Sequence, residues 1–122
     1  MAGEFKLTVA HNITKGYYKD SYSPGQFSID QTTQGAFTGV LAIGTSEEAI
    51  TFTDIGTLGW LTMHNLDTTN YVDWGPDSGG SMVAVGRMKA NEVAVFRLKP
   101  GITLRLQANT ASCKVLFKCY ND

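Results

Sequence analysis

Helical periodicity, long apolar runs, histidine and charge are all scarce in this chain, and each scarcity removes a class of protein. Charged residues make up only 17% of the 122 residues, against about 25% in an average soluble protein. Together with many Gly, Thr and Ser, that low charge suggests strands, tight turns and much protein-facing surface. The ten Lys and Arg are scattered singly among eleven Asp and Glu, for a formal net charge of −1. No basic stripe exists to neutralise a run of phosphates, so nucleic acid is not an expected partner. No apolar run approaches the roughly 18 residues of a membrane-spanning helix. The opening Met1-Ala2-Gly3-Glu4-Phe5-Lys6 lacks the apolar core of a signal peptide, which leads us to expect synthesis in the cytoplasm and no membrane partner.

Cysteine is limited to Cys113 and Cys119. Six residues along one extended strand separate them by roughly 20 Å, too far for the ~7 Å limit on bridged Cα atoms. Both are expected to be free, buried and inert.

The residue types that carry catalysis are equally thin. His11 and His64 are the two imidazoles, and neither stands in a metal-binding spacing. His64, between Met63 and Asn65, reads as a hydrogen-bonded sheet histidine more readily than as a general base. Glu47 and Glu48 are adjacent, so on an extended chain they point to opposite faces and cannot share a proton or an ion. Asp73, Asp77 and Ser78 flank Gly75-Pro76 and carry oxygen ligands suited to calcium, but their spacing matches no calcium loop, and turn formation accounts for them. Gly79-Gly80-Ser81 lacks the lysine and following helix of a phosphate cradle. We therefore expect no enzyme, no cofactor and no metal site.

What is present is a rhythm of short alternating or β-branched stretches with turn residues between them. Strands are expected at Glu4–His11, Gln26–Asp30, Ala36–Ile43, Ala49–Ile55, Trp60–Leu66, Asn70–Trp74, Ser81–Met88, Val93–Leu98, Ile102–Ala108 and Cys113–Tyr120. Phe5, Leu7 and Val9 share one face of the first, so the core begins early. Trp60–Leu66 and Asn70–Trp74 read as a hairpin, and the last two strands as an antiparallel pair joined by Asn109–Ser112. Gly75–Gly80 reads as a loop, and Ser46–Ala49 offers the one short helical turn. No linker divides the chain. A single all-β domain over 1–122 follows, a two-sheet antiparallel sandwich of jelly-roll-like form.

Residues Asn12–Gly25 read as the longest irregular connection, closed by a Pro24-Gly25 turn signal. Three tyrosines, Tyr17, Tyr18 and Tyr22, stand among Lys15, Lys19 and Asp20. Interfaces favour that mixture of large amphipathic rings and polar neighbours, which makes these three the candidate interface residues.

Three stretches, Leu66-Asp67-Thr68-Thr69-Asn70-Tyr71-Val72-Asp73-Trp74-Gly75, then Ala90–Gly101 with its Glu92, Arg97-Leu98 and Pro100-Gly101, and finally Leu106–Thr110 followed by Lys114–Phe117, resemble small structural proteins of tailed bacteriophages. The likeness covers the C-terminal half, and the N-terminal half departs from it. It implies a virion component made in the host cytoplasm: a capsid cement or decoration protein bound to the major capsid protein and to copies of itself, as a homotrimer suited to a symmetry axis. A tail or neck component is the nearest alternative. A carbohydrate-binding sandwich is another, with Trp60 and Trp74 as stacking rings, although both lie beside apolar neighbours and read as core.

Overall fold

The structure, a computed structural model, describes residues 3–52 and 54–122. Met1 and Ala2 of the opening segment, and Thr53 within the strand expected over Ala49–Ile55, lie outside the described residues. The described residues form strands and turns without helix, as the sequence rhythm predicts, and they fall into two compact units, Met1–Thr32 and Thr33–Asp122.

The first unit is an antiparallel ribbon of β1 (Phe5–Lys15) and β2 (Tyr18–Ile29). Its turn is Gly16-Tyr17, with Lys15 opposite Tyr18 and Gly16 at φ 59°. Glycine at the first central position of a two-residue turn matches the right-handed twist of the strands it joins. The expected irregular connection over Asn12–Gly25 is thus strand instead. Polar composition argued for a loop, but cross-strand pairing overrides composition. Pro24-Gly25 is not the turn either. Val9 pairs with Gly25 and His11 with Tyr22, so Ser23 and Pro24 together face Ala10 in a bulge. A bulge leaves a residue outside the ladder, which suits a proline without an N–H, and Gly25 takes φ 95° there.

The second unit is a two-sheet antiparallel sandwich. One sheet runs β3 (Ala36–Ile43), β11 (Cys113–Asn121), β5 (Leu58–Asn65), β9 (Val93–Arg97). The other runs β4 (Glu48–Ile50), β10 (Leu104–Ala108), β6 (Val72–Ser78), with β7 (Ser81–Met82) and β8 (Gly86–Met88) both paired to β6. Inward residues of both sheets make the core: Ile43, Leu61, Met63, Val115 and Phe117 from the first, Ile50, Val72, Met88, Leu104 and Leu106 from the second. Each such side chain stabilises the fold by about 1.5–3 kcal/mol through burial. Aromatic contacts tie the layers. Phe52 packs between Phe37 and Phe117, at centroid distances of 4.9 and 5.6 Å, and Trp74 of β6 stacks on Phe96 of β9 at 4.6 Å.

Strand neighbours differ from those the sequence predicts. β5 pairs with β11 and β9, while β6 pairs with β10, so the Leu66–Tyr71 link is an arch between sheets and not a hairpin. Likewise β10 and β11 lie in opposite sheets, joined across Asn109–Ser112. Buried Asn65 explains the first arch. Its amide nitrogen donates to the carbonyls of Asn70, Met88 and Lys89 at 2.9–3.2 Å, and its oxygen accepts the Asp67 N–H at 3.1 Å. These bonds anchor the crossing. The second arch is laced to the first: Asn109 accepts from the Tyr71 N–H, and Thr110 donates to Asn70.

Three smaller expectations are also revised. Ser46–Ala49 is no helical turn: Thr45 and Ser46 bend the chain, Glu47 accepts the Met82 N–H at 2.9 Å, and Glu48 and Ala49 already belong to β4. The expected Gly75–Gly80 loop is mostly strand, since β6 continues to Ser78 and only Gly79 and Gly80, both at positive φ, make the turn. The expected strand over Ser81–Met88 breaks at Val83–Val85, whose backbone folds over Gly75. A Cβ on Gly75 would lie 1.9 Å from the Val83 carbonyl oxygen.

Candidate functional site

The three candidate tyrosines sit at the turn end of the ribbon. Tyr17 occupies the turn and is fully exposed, while Tyr18 and Tyr22 are 60% and 56% exposed. Directly opposed residues of an antiparallel pair share a face. The register Lys15–Tyr18, Ile13–Asp20, His11–Tyr22 therefore gathers six side chains on one side. Asn12, Thr14, Lys19 and Ser21 take the other. His11 and Tyr22 confirm the arrangement with ring centroids 5.7 Å apart. Every residue from Ala10 to Pro24 is exposed, so this end of the ribbon presents one aromatic face and one polar face to its surroundings.

The composition of Asn12–Gly25 singles out the tyrosines but conceals Ile13, His11, Lys15 and Asp20 as their face mates. A signal existed. Val9, His11 and Ile13 continue the odd-numbered alternation of Phe5, Leu7 and Val9, and Gly16 fits the first position of a two-residue hairpin turn.

The residues weighed for chemistry are engaged with one another. Arg87 is bidentate on Asp73, at 2.7 and 3.2 Å, and lies over the Tyr71 ring at 3.8 Å. The Asp73 hydrogen bond raises the Arg87 pKa. Asp77 holds Arg105 at 3.0 Å, with Glu47 3.9 Å from the same guanidinium. The carboxylates weighed for calcium thus each hold an arginine. Among the described residues, no group of three or more His, Cys, Asp or Glu is placed to hold a metal ion. His64 Nε2 lies 2.9 Å from Asn91 Oδ1, the hydrogen-bonded sheet histidine the sequence predicts. Asp67 accepts the N–H groups of Asn70 and Thr69, which lower its pKa.

Comparison with protein-family models, curated proteins and solved structures yields no match.

Both cysteines are free and buried on the inward face of β11. Burial raises the Cys113 thiol, and pushes that of Cys119 up to about 12. Burial thus disfavours the thiolate, the reactive form, at both positions. The two tryptophans part company. Trp74 packs against the core, as expected, whereas Trp60 lies on the outer face of its sheet between buried Gly59 and Leu61, with Arg97 over its ring at 5.5 Å. The core assignment of Trp60 is thereby corrected: its neighbours are apolar because alternate residues point inward, not because Trp60 does.

Proposed function

We propose that this chain is a non-enzymatic virion structural protein, a cement or decoration protein that binds the outer capsid lattice and stabilises it. The observation that carries the reading is the exposed ribbon end, where every residue from Ala10 to Pro24 is exposed and the rings share one face. Such an element suits attachment, because aromatic anchors concentrate binding energy at interfaces. Two further features support it. The paired strand orders β3-β11-β5-β9 and β4-β10-β6-β8, with successive strands crossing between sheets, are those of a jelly roll as we read them, an architecture used in viral shells. The resemblance of the C-terminal half to phage structural proteins points the same way. Bridging would act by repetition, since many copies on one lattice multiply modest contacts through effective concentration.

The test is co-sedimentation of purified chain with capsids stripped of it, alongside peptide mass spectrometry of purified particles. We expect the chain in particles, rebinding of the wild type, and loss of rebinding when Tyr17, Tyr18 and Tyr22 are all changed to serine. Absence from purified particles overturns the virion reading. Presence confined to tails or necks moves the chain to that location. One observation favours a sugar-binding alternative, the outward Trp60 beneath Arg97, and glycan-array binding abolished by Trp60→Ala would establish it.

A further inference from the structure

The ribbon's aromatic face has a composition that selects its occupant. It carries one cation and one anion, Lys15 and Asp20, around Ile13, His11, Tyr18 and Tyr22. We infer that this face packs against the same face of a second copy, with a two-fold axis running along the ribbon. This deepens the reading of the ribbon end as an attachment element.

The symmetry follows from the register. A two-fold axis parallel to the ribbon lays β1 of one copy over β2 of the other. His11 then meets the partner's Tyr22, and Lys15 meets the partner's Tyr18, an ammonium over a phenol ring. The partner's Asp20 stands one row away, roughly 7 Å along the strand, within reach of the lysine stem. Each contact occurs twice, as an isologous interface requires. Turning one ribbon end for end instead sets Asp20 against the partner's Asp20, which repels.

Size agrees with this occupant. Burying two tyrosines, an isoleucine and a histidine on each side removes on the order of 1,000 Å² in total, the lower bound for a specific interface. A two-stranded ribbon is marginal alone, while two ribbons face to face form a four-stranded miniature sandwich with a shared apolar seam. Exposed ion pairs add little affinity, so the rings supply attraction and Lys15 with Asp20 set the orientation.

The experiment is sedimentation equilibrium of the whole chain and of two charge reversals, Lys15→Asp and Asp20→Lys, each alone and then mixed. Alone, each reversal sets like charges together twice per pair, and self-association should weaken by about tenfold or more. Mixed, the two variants restore opposite charges across the interface, and their association should return to within about threefold of wild type. An intrachain role for the Lys15–Asp20 pair predicts no rescue on mixing, so that outcome overturns the proposal. A wild-type chain that stays monomeric to millimolar concentration, or one that forms only three-chain species, overturns it as well. The readout is independent of particles, so failure here leaves the virion reading to its own co-sedimentation test.

Discussion

The ribbon and the sandwich use the same alternation of apolar and polar residues to different ends. In β11, Cys113, Val115, Phe117 and Cys119 point inward and are fully buried against the second sheet. In β1 the same spacing gives Phe5, Leu7, Val9, His11 and Ile13, yet from Ala10 onward every residue is exposed. Alternation states which face of a strand is apolar. It does not state whether that apolar face is met by the same chain.

Truncation in the two regions should separate them most sharply. Phe117 is fully buried and in ring contact with Phe52, and Phe117→Ala should cost ~3–5 kcal/mol in urea unfolding of the isolated protein. A loss under 1 kcal/mol would place that ring outside a packed core. Asn65→Ala comes next. It strips partners from the Asn70, Met88 and Lys89 carbonyls and the Asp67 N–H, at a cost of ~1–3 kcal/mol.

Alkaline pH offers a gentler probe. Burial pushes the Cys119 thiol up to about 12 from its ordinary 9.0, so the folded state keeps a proton that the unfolded chain releases. Stability from this group is whole below 9.0 and is lost as pH rises towards about 12, at up to ~1.4 kcal/mol per pH unit. The difference between wild type and Cys119→Ala in thermal midpoint should therefore shift across that window. A constant difference would show that the thiol titrates normally. The smallest effect is expected in the ribbon, where changing Tyr17, Tyr18 and Tyr22 to serine should leave the midpoint of the isolated monomer within a few degrees. Substitutions on surfaces without packing partners usually fall within about ±0.5 kcal/mol. A larger drop would mean that the rings support their own fold.

The same contrast explains what could be read from the residues. The inward faces of β10 and β11 are legible in Leu104-x-Leu106 and Val115-x-Phe117, and so is the freedom of the two cysteines, whereas that of β5 is hidden by Trp60 beside Leu61. Strand neighbours are not legible either. A connection such as Asn109–Ser112 is long enough, at ~3.3 Å per residue, either to close a hairpin or to span the ~10 Å between sheets, and the pattern of apolar residues is identical in both cases. What decides is buried Asn65 gathering the β5–β6 arch, with the Asn109 and Thr110 bonds lacing the two arches together, and those contacts exist only after folding. Trp60 was misplaced for a related reason, since apolar neighbours in sequence are opposite faces in space. The three tyrosines were recognised from composition. Their face mates, and hence Lys15 and Asp20, depended on seeing that Asn12–Gly25 is strand, which the polar residues concealed.

The crossing of successive strands between sheets also sets an order in time. Apart from the local pairing of β7 and β8 with β6, neither sheet of the sandwich can zip up from adjacent segments, because the other strands' partners lie far along the chain, and topologies dominated by such pairings fold in milliseconds to seconds. The ribbon pairs with itself around Gly16, and hairpins of that kind close in about 1–10 μs. It is also first off the ribosome within this sequence. The ribbon can thus be shaped while the sandwich is still unfolded, so the two units need not form in one step.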